Sequence, residues 1–297
     1  MWVGSWCERD MAASSSTLHC VFRGANGLEL RGDAYGIPGS RPVLLLHGGG
    51  QTRHAWRGTA RRLGEAGWYS VALDLRGHGD SAWAADEDYS VDAFAGDVAN
   101  VAASFSTPPV IVGASLGGIA ALVAAGERSG TLSSALVLVD IAPRIEINGV
   151  QRIVTFMGAH LGGFASLEEA ADAIAAYMPD RPRPTDLSRL HKNLRQRADG
   201  RYYWHWDPRF LIGKRPPSAS GDMDRLLRAA RNVQVPALLV RGQLSDMVSE
   251  SAAAEFLRVV PNGRYVDVSD AGHMVVGDKN DIFSSAILDF LDTLPPA

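Results

Sequence analysis

Residues 109–118 read Pro-Val-Ile-Val-Gly-Ala-Ser-Leu-Gly-Gly. A β-branched apolar run enters a Gly-x-Ser-x-Gly turn, and Ile-Ala-Ala-Leu-Val-Ala-Ala (119–125) leaves it in helix-forming residues. A strand, a sharp turn and a helix in that order form the setting in which a serine is pushed out above a sheet as a nucleophile. The turn must be so tight that residues on either side of it nearly touch, which glycine tolerates best. Ser115 would then stand at a helix N-terminus, where the dipole and free backbone N–H groups favour an oxyanion.

Outward from this turn the pattern repeats. PVLLLH (42–47), SVALDL (70–75), SALVLVD (134–140) and PALLVRG (236–242) are short apolar runs without clean alternation, as expected of strands covered on both faces. Helical patterns lie between them, most clearly at 91–105, 116–125, 249–259 and 281–291. Earlier, LHCVF and LELRGDAYG read as an antiparallel edge pair, and GRYVDV (263–268) reads as the last strand. The order predicts an α/β fold with a mostly parallel sheet of about eight strands and helices on both faces. From 141 to 224 the alternation stops: SLEEAADAIAAYM (166–178), the Pro/Arg-rich PDRPRPTD and the aromatic RYYWHWDPRF (201–210) predict an inserted helical cap. The core is then 17–140 and 225–297, with 1–16 a poorly ordered tail.

The chain has 297 residues and a formal charge of −4, so it has no electrostatic footprint for nucleic acid and no polybasic membrane anchor. Glu8, Arg9 and Asp10 lie where a signal peptide would be apolar, and no run reaches the ~18 apolar residues of a membrane span. A cytoplasmic protein is expected. Cys7 and Cys20 have no zinc-type spacing; a reducing compartment fits, and a disulfide between them stays open. HGGG (47–50) lacks the spacing and lysine of a phosphate loop, no dinucleotide fingerprint opens a helix, and no metal or cofactor is expected.

A nucleophilic serine needs a base, and the base needs a carboxylate to orient it. The expected chain order is Ser, acid, His. His160, His191 and His205 fall in the insertion, which leaves His273, in a loop after the last strand, as the base. Asp246 follows the strand 236–242 and is the expected acid. Asp140, which ends the strand 134–140 on the same edge, is the competitor. The oxyanion calls for two N–H donors: Leu116, directly after the serine, and Gly49, in the glycine loop after the first parallel strand. His47 reads as a buried structural histidine. In the insertion, Trp206, Phe210, Phe156 and Met157 either hold it on the core or line a substrate pocket.

Taken together, LLLHGGGQTRHAW (44–56), DLRGHGDS (74–81), GASLGG (113–118), LLVRGQLSDMV (238–248) and DAGHMVVGD (270–278) resemble the α/β-hydrolase superfamily. The resemblance covers about residues 18 to 293. It is nearest to capped serine hydrolases: carboxylesterases, monoalkyl phthalate ester hydrolases, carbon–carbon bond hydrolases and cofactor-free haloperoxidase-like enzymes. It implies a Ser115–Asp246–His273 triad, oxyanion donors at Gly49 and Leu116, and a structural role for His78. Epoxide hydrolases and haloalkane dehalogenases carry Asp where this chain has Ser115. The function expected is hydrolysis of a carboxylic ester of a small, largely apolar molecule through an acyl-enzyme. The alternatives are carbon–carbon bond hydrolysis, cofactor-free perhydrolysis, or a ligand-binding receptor on the same fold. The oligomeric state is left open.

Overall fold

The structure is a computed structural model that describes residues 6–9, 17–128, 130–178, 183, 185–214, 216–217, 223–269 and 280–295, with 6–9 and 280 as backbone. In chain order the core begins with β1 (Trp6–Arg9), β2 (Leu18–Arg23), β3 (Glu29–Tyr35), β4 (Pro42–Leu46), α1 (Arg57–Glu65), β5 (Tyr69–Leu73), α2 (Val91–Ala102), β6 (Val110–Ala114), α3 (Leu116–Glu127) and β7 (Ala135–Val139). An insertion follows, with α4 (Ile147–Ala159), α5 (Leu167–Tyr177), β8 (Leu194–Gln196), β9 (Tyr202–Trp204) and α6 (Arg209–Ile212). The core resumes with α7 (Met223–Asn232), β10 (Ala237–Gly242), α8 (Glu250–Val259), β11 (Gly263–Val268) and α9 (Ser284–Asp292).

Nine of the described strands form one sheet in the order β1-β2-β3-β5-β4-β6-β7-β10-β11. β1, β2, β3 and β5 pair antiparallel in turn, and β5, β4, β6, β7, β10 and β11 run parallel to one another. Successive residues of each parallel strand feed opposite cores. Leu44, Leu46, Ile111, Leu136, Leu138 and Leu239 pack with α2, α3, α7 and α8. Val43, Leu45, Val110, Val112, Val137 and Val240 pack with α1 and α9. That double burial is why these strands read as unbroken apolar runs.

The structure departs from three expectations. Part of the N-terminal tail is ordered: β1 pairs with β2, with Cys7 opposite Cys20. Cys20 is disulfide-bonded, and Cys7 is the chain's other cysteine. An edge strand needs no apolar alternation when its ladder supplies the hydrogen bonds, so WCER gave little signal. The insertion is also not wholly helical. β8 and β9 form an antiparallel hairpin, because the aromatic run Tyr202-Tyr203-Trp204 suits a pleated, half-buried surface. The return to the core, expected at 225, falls inside α7, whose Ala229 backbone crosses α3 so closely that a Cβ on Gly126 would lie 2.2 Å from its carbonyl oxygen.

Chain order along the sheet reverses between β4 and β6, so the crevice beyond their C-terminal ends is where such a sheet meets ligands. The glycine loop leaves β4 there and Ser115 leaves β6, while the insertion packs on the loop after β5 and brings Phe210 to Gly49. Asp207 N–H donates to the Gly77 carbonyl, Gly79 N–H to that of His205, and Tyr89 Oη to Asp207 Oδ2 at 2.5 Å.

Candidate active site

Ser115 adopts φ 45° and ψ −116°, a conformation that L residues rarely adopt and that clusters at functional sites. The elbow is held by close approach. A Cβ on Gly113 would lie 2.5 Å from the Gly117 carbonyl oxygen, and one on Gly117 would lie 2.7 Å from those of Leu46 and His47. A Cβ on Gly118 would meet Ile141 Cγ2 at 2.3 Å. The Ser115 N–H donates to the Val139 carbonyl at 3.2 Å, tying the elbow to the next strand. Leu116 is the first residue of α3, and its N–H is one of the end donors that an α-helix leaves without an intrahelical acceptor.

The loop after β4 closes on the serine from the other side. A Cβ on Gly48 would lie 3.3 Å from Ser115 Cβ, and one on Gly49 would lie 3.9 Å from Leu116 Cδ2. The loop is stitched rather than free. Gly48 N–H donates to Gln51 Oε1 at 2.9 Å, and Gly50, at φ 77°, donates its N–H to His78 Nε2 at 3.1 Å. His47 receives the Leu75 N–H on Nε2 at 3.0 Å, and His47 Nδ1 faces the Gly48 carbonyl at 2.8 Å. His78 Nδ1 faces the Arg76 carbonyl at 2.9 Å. These partners assign the proton of each ring to Nδ1. Burial pushes His47 down to about 4 and His78 to about 3, so both stay neutral and structural at ordinary pH. Gln51 went unmarked in the sequence reading; its position three residues after Gly48 was the available signal.

The two carboxylates differ. Asp140, one residue beyond β7, is buried at 2% exposure and sits at φ 50°. Its Oδ1 accepts the Gly242 N–H at 3.2 Å and its Oδ2 the Ser245 hydroxyl at 3.0 Å. Asp246 is half-buried and its Oδ2 lies 3.2 Å from Arg152 Nη2 of α4. Thus Asp140 follows the residue whose carbonyl receives the Ser115 N–H, whereas Asp246 faces the insertion. His273 lies outside the described residues. His160 stacks on Phe164, His191 lies 6.0 Å from the Tyr202 ring, and Arg195 Nε donates to His205 Nε2 at 2.6 Å. No group of three or more His, Cys, Asp or Glu gathers as a metal-ligand set among the described residues.

Residues 43–286 match the Alpha/beta hydrolase family. The chain belongs to this family. It is 30% identical over 263 residues to the Esterase Rv0045c of Mycobacterium tuberculosis, covering 86% of this chain and 84% of that protein. It is 29% identical to the 2-(acetamidomethylene)succinate hydrolase of Mesorhizobium japonicum, over 95% of this chain and 99% of the other. The crystal structure of an alpha/beta hydrolase from Novosphingobium aromaticivorans superimposes with a TM-score of 0.77 at 25% identity, covering 94% of this chain and 99% of that one.

Within this α/β-hydrolase the four aromatic and sulfur candidates separate. Phe210 is the one beside the glycine loop: a Cβ on Gly49 would lie 3.5 Å from its ring, and the ring is edge-on to His78 at 4.9 Å. Trp206 packs edge-on against Phe210 and is buried at 1% exposure; its indole N–H has no hydrogen-bond partner among the described residues. Phe156 stacks on Tyr177 at 4.3 Å and lines a cavity of about 660 Å³ between α4 and α5. Met157 is buried in the larger core cluster. The arrangement can present one strained hydroxyl, a glycine loop with fixed backbone, and a buried carboxylate at one rim of the sheet.

Proposed function

We propose that this hydrolase cleaves a carboxylic ester of a small, largely apolar substrate through an acyl-enzyme on Ser115. The observation that carries the reading is Ser115 at its positive-φ elbow with the Gly48–Gly49 backbone packed against it. His273 is the proposed base, taking the Ser115 proton as the oxygen attacks the carbonyl carbon. The N–H groups of Gly49 and Leu116 receive the developing oxyanion, each expected to matter by about 10²–10³ in rate. His273 returns the proton to the leaving alkoxide and then activates the water that releases the acid.

For the acid, the geometry favours Asp140 over Asp246. A triad carboxylate is buried and held by hydrogen bonds so that it faces the imidazole. Asp140 meets the first two conditions, while Asp246 is engaged by a partly exposed arginine. Phe210 and Trp206 are the proposed apolar wall, and Phe156 with Met157 belongs to the cap that carries it.

Turnover of a p-nitrophenyl ester series, with fluorophosphonate labelling, tests the reading. Ser115→Ala should lose turnover and label while keeping its melting temperature; retained turnover would remove the nucleophile. Asp140→Asn should cost orders of magnitude and Asp246→Asn less than tenfold. The reverse ranking returns the acid to Asp246.

The Mesorhizobium relative, named for a substituted succinate, supports a second reading in which the same serine cleaves a carbon–carbon or other non-ester bond. Turnover of such acids without ester hydrolysis would favour it. Among the described residues no helix is long and apolar enough to cross a membrane. The cytoplasm stays the proposed location, against the Cys20 disulfide, which a reducing compartment disfavours. A thiol count on freshly isolated protein tests it.

A further inference from the structure

The turn that leaves β10 is organised around one hydroxyl. Ser245 Oγ accepts the N–H groups of Met247 at 3.1 Å and Val248 at 3.2 Å. A serine oxygen has two acceptor lone pairs and one proton. With both lone pairs engaged, the proton is directed outward, and Asp140 Oδ2 is 3.0 Å away. The Ser245 N–H is in turn held by the Gly242 carbonyl at 2.9 Å, and Gly242 supplies the N–H on the other Asp140 oxygen. The hydroxyl is thus a fixed, one-way donor to a buried carboxylate. The same turn is where the insertion rests. Glu146 N–H donates to the Met247 carbonyl at 3.1 Å, Asp246 pairs with Arg152, and Gly149 of α4 has no room for a Cβ against the Asp246 carbonyl, 2.6 Å away.

Resting on Asp140 as the acid, we propose that Ser245 is a positioning residue of the reaction: its hydroxyl fixes the orientation of the Asp140 carboxylate. A buried carboxylate that loses a donor either rotates to find another or takes up a proton. In both cases the imidazolium formed during attack loses its counter-charge. Charge-assisted hydrogen bonds of this kind are the strong ones, so a large effect is expected from a residue that acts through Asp140.

The test is a pH series of kcat and kcat/KM on a p-nitrophenyl ester for Ser245→Ala and Ser245→Thr, each with and without Asp140→Asn. Ser245→Ala should lower kcat about 10- to 100-fold, the span of a hydrogen bond to a charged group. It should also move the acid limb of kcat/KM to lower pH, because an imidazolium without its carboxylate is less stabilised. Ser245→Thr keeps the hydroxyl and should restore both. In the Asp140→Asn background Ser245→Ala should cost nothing further. Should Ser245→Ala fail to fold, Ser245→Cys, close in size and a weak donor, serves in its place. A kcat within twofold of the parent, an unmoved acid limb, or an undiminished loss in the Asp140→Asn background would each overturn the proposal. Near-parental activity of Asp140→Asn alone would instead overturn the acid assignment beneath it.

Discussion

Arg152 Nη2 of α4 lies 3.2 Å from Asp246 Oδ2 on the turn after β10, joining a cation of the insertion to an anion of the core rim. Their side chains are 61% and 37% exposed, so the pair contributes about 0–1 kcal/mol to folding. Its effect belongs to the placement of α4. Arg152→Gln should leave the melting temperature within about 2–4 °C of the parent, raise KM several-fold and keep kcat within twofold. Added salt should do to the parent what the substitution does, since exposed charges are screened. Steady-state kinetics at low and high ionic strength check this, and an unchanged KM in both would count against it.

The backbone of Ser115 stores strain on the order of 1–3 kcal/mol, because φ 45° with ψ −116° is a region that glycine enters freely. Ser115→Gly is therefore expected to be inactive yet more stable than Ser115→Ala by about 1 kcal/mol. Urea midpoints of the two variants measure the difference.

Gly117 and Gly49 should respond oppositely to a methyl group. A Cβ on Gly117 would sit 2.7 Å from two backbone oxygens that cannot yield, whereas one on Gly49 meets only side-chain carbons at ordinary contact distance, the Phe210 ring at 3.5 Å and Leu116 Cδ2 at 3.9 Å. Gly117→Ala is expected to lose about 3 kcal/mol and all activity. Gly49→Ala should fold within about 1 kcal/mol of the parent. Denaturant unfolding of both variants checks the contrast.

His47 and His78 make stability depend on pH. Both are held below the ordinary histidine value, at about 4 and about 3, chiefly by burial. The unfolded chain therefore binds more protons between those values and about 6.5, and stability rises with pH across that window. The contribution is complete above pH 6.5 and is lost as pH falls toward 4 and then 3, on the order of 3 kcal/mol for each ring at pH 4. His47→Gln, which can still accept the Leu75 N–H, should flatten the slope of unfolding free energy against pH over that range. An equally steep slope in the variant would contradict the assignment.

Much of the elbow was readable before any coordinates because steric exclusion acts on residue type. Gly113, Gly117 and Gly118 stand where any side chain would collide, and the parallel strands are apolar throughout because both faces are covered. The glycine loop was readable for the same reason. The acid that we propose was not. Asp140 and Asp246 both follow strands at the same rim, and what separates them is the direction of one side chain, set by the left-handed backbone at Asp140 and by the Gly242 and Ser245 donors. Periodicity carries no trace of that. The hairpin at 194–204 was hidden because three-residue strands are shorter than any reliable alternation. His273 lies outside the described residues, so its role rests on its place in the chain.

The short strand β1 has a consequence for handling the protein. It covers the outer side of β2, whose backbone would otherwise offer an open row of N–H and C=O groups to any passing chain. A polypeptide beginning at Thr17 would carry that row bare, and self-association through the uncovered border is the expected outcome of such trimming.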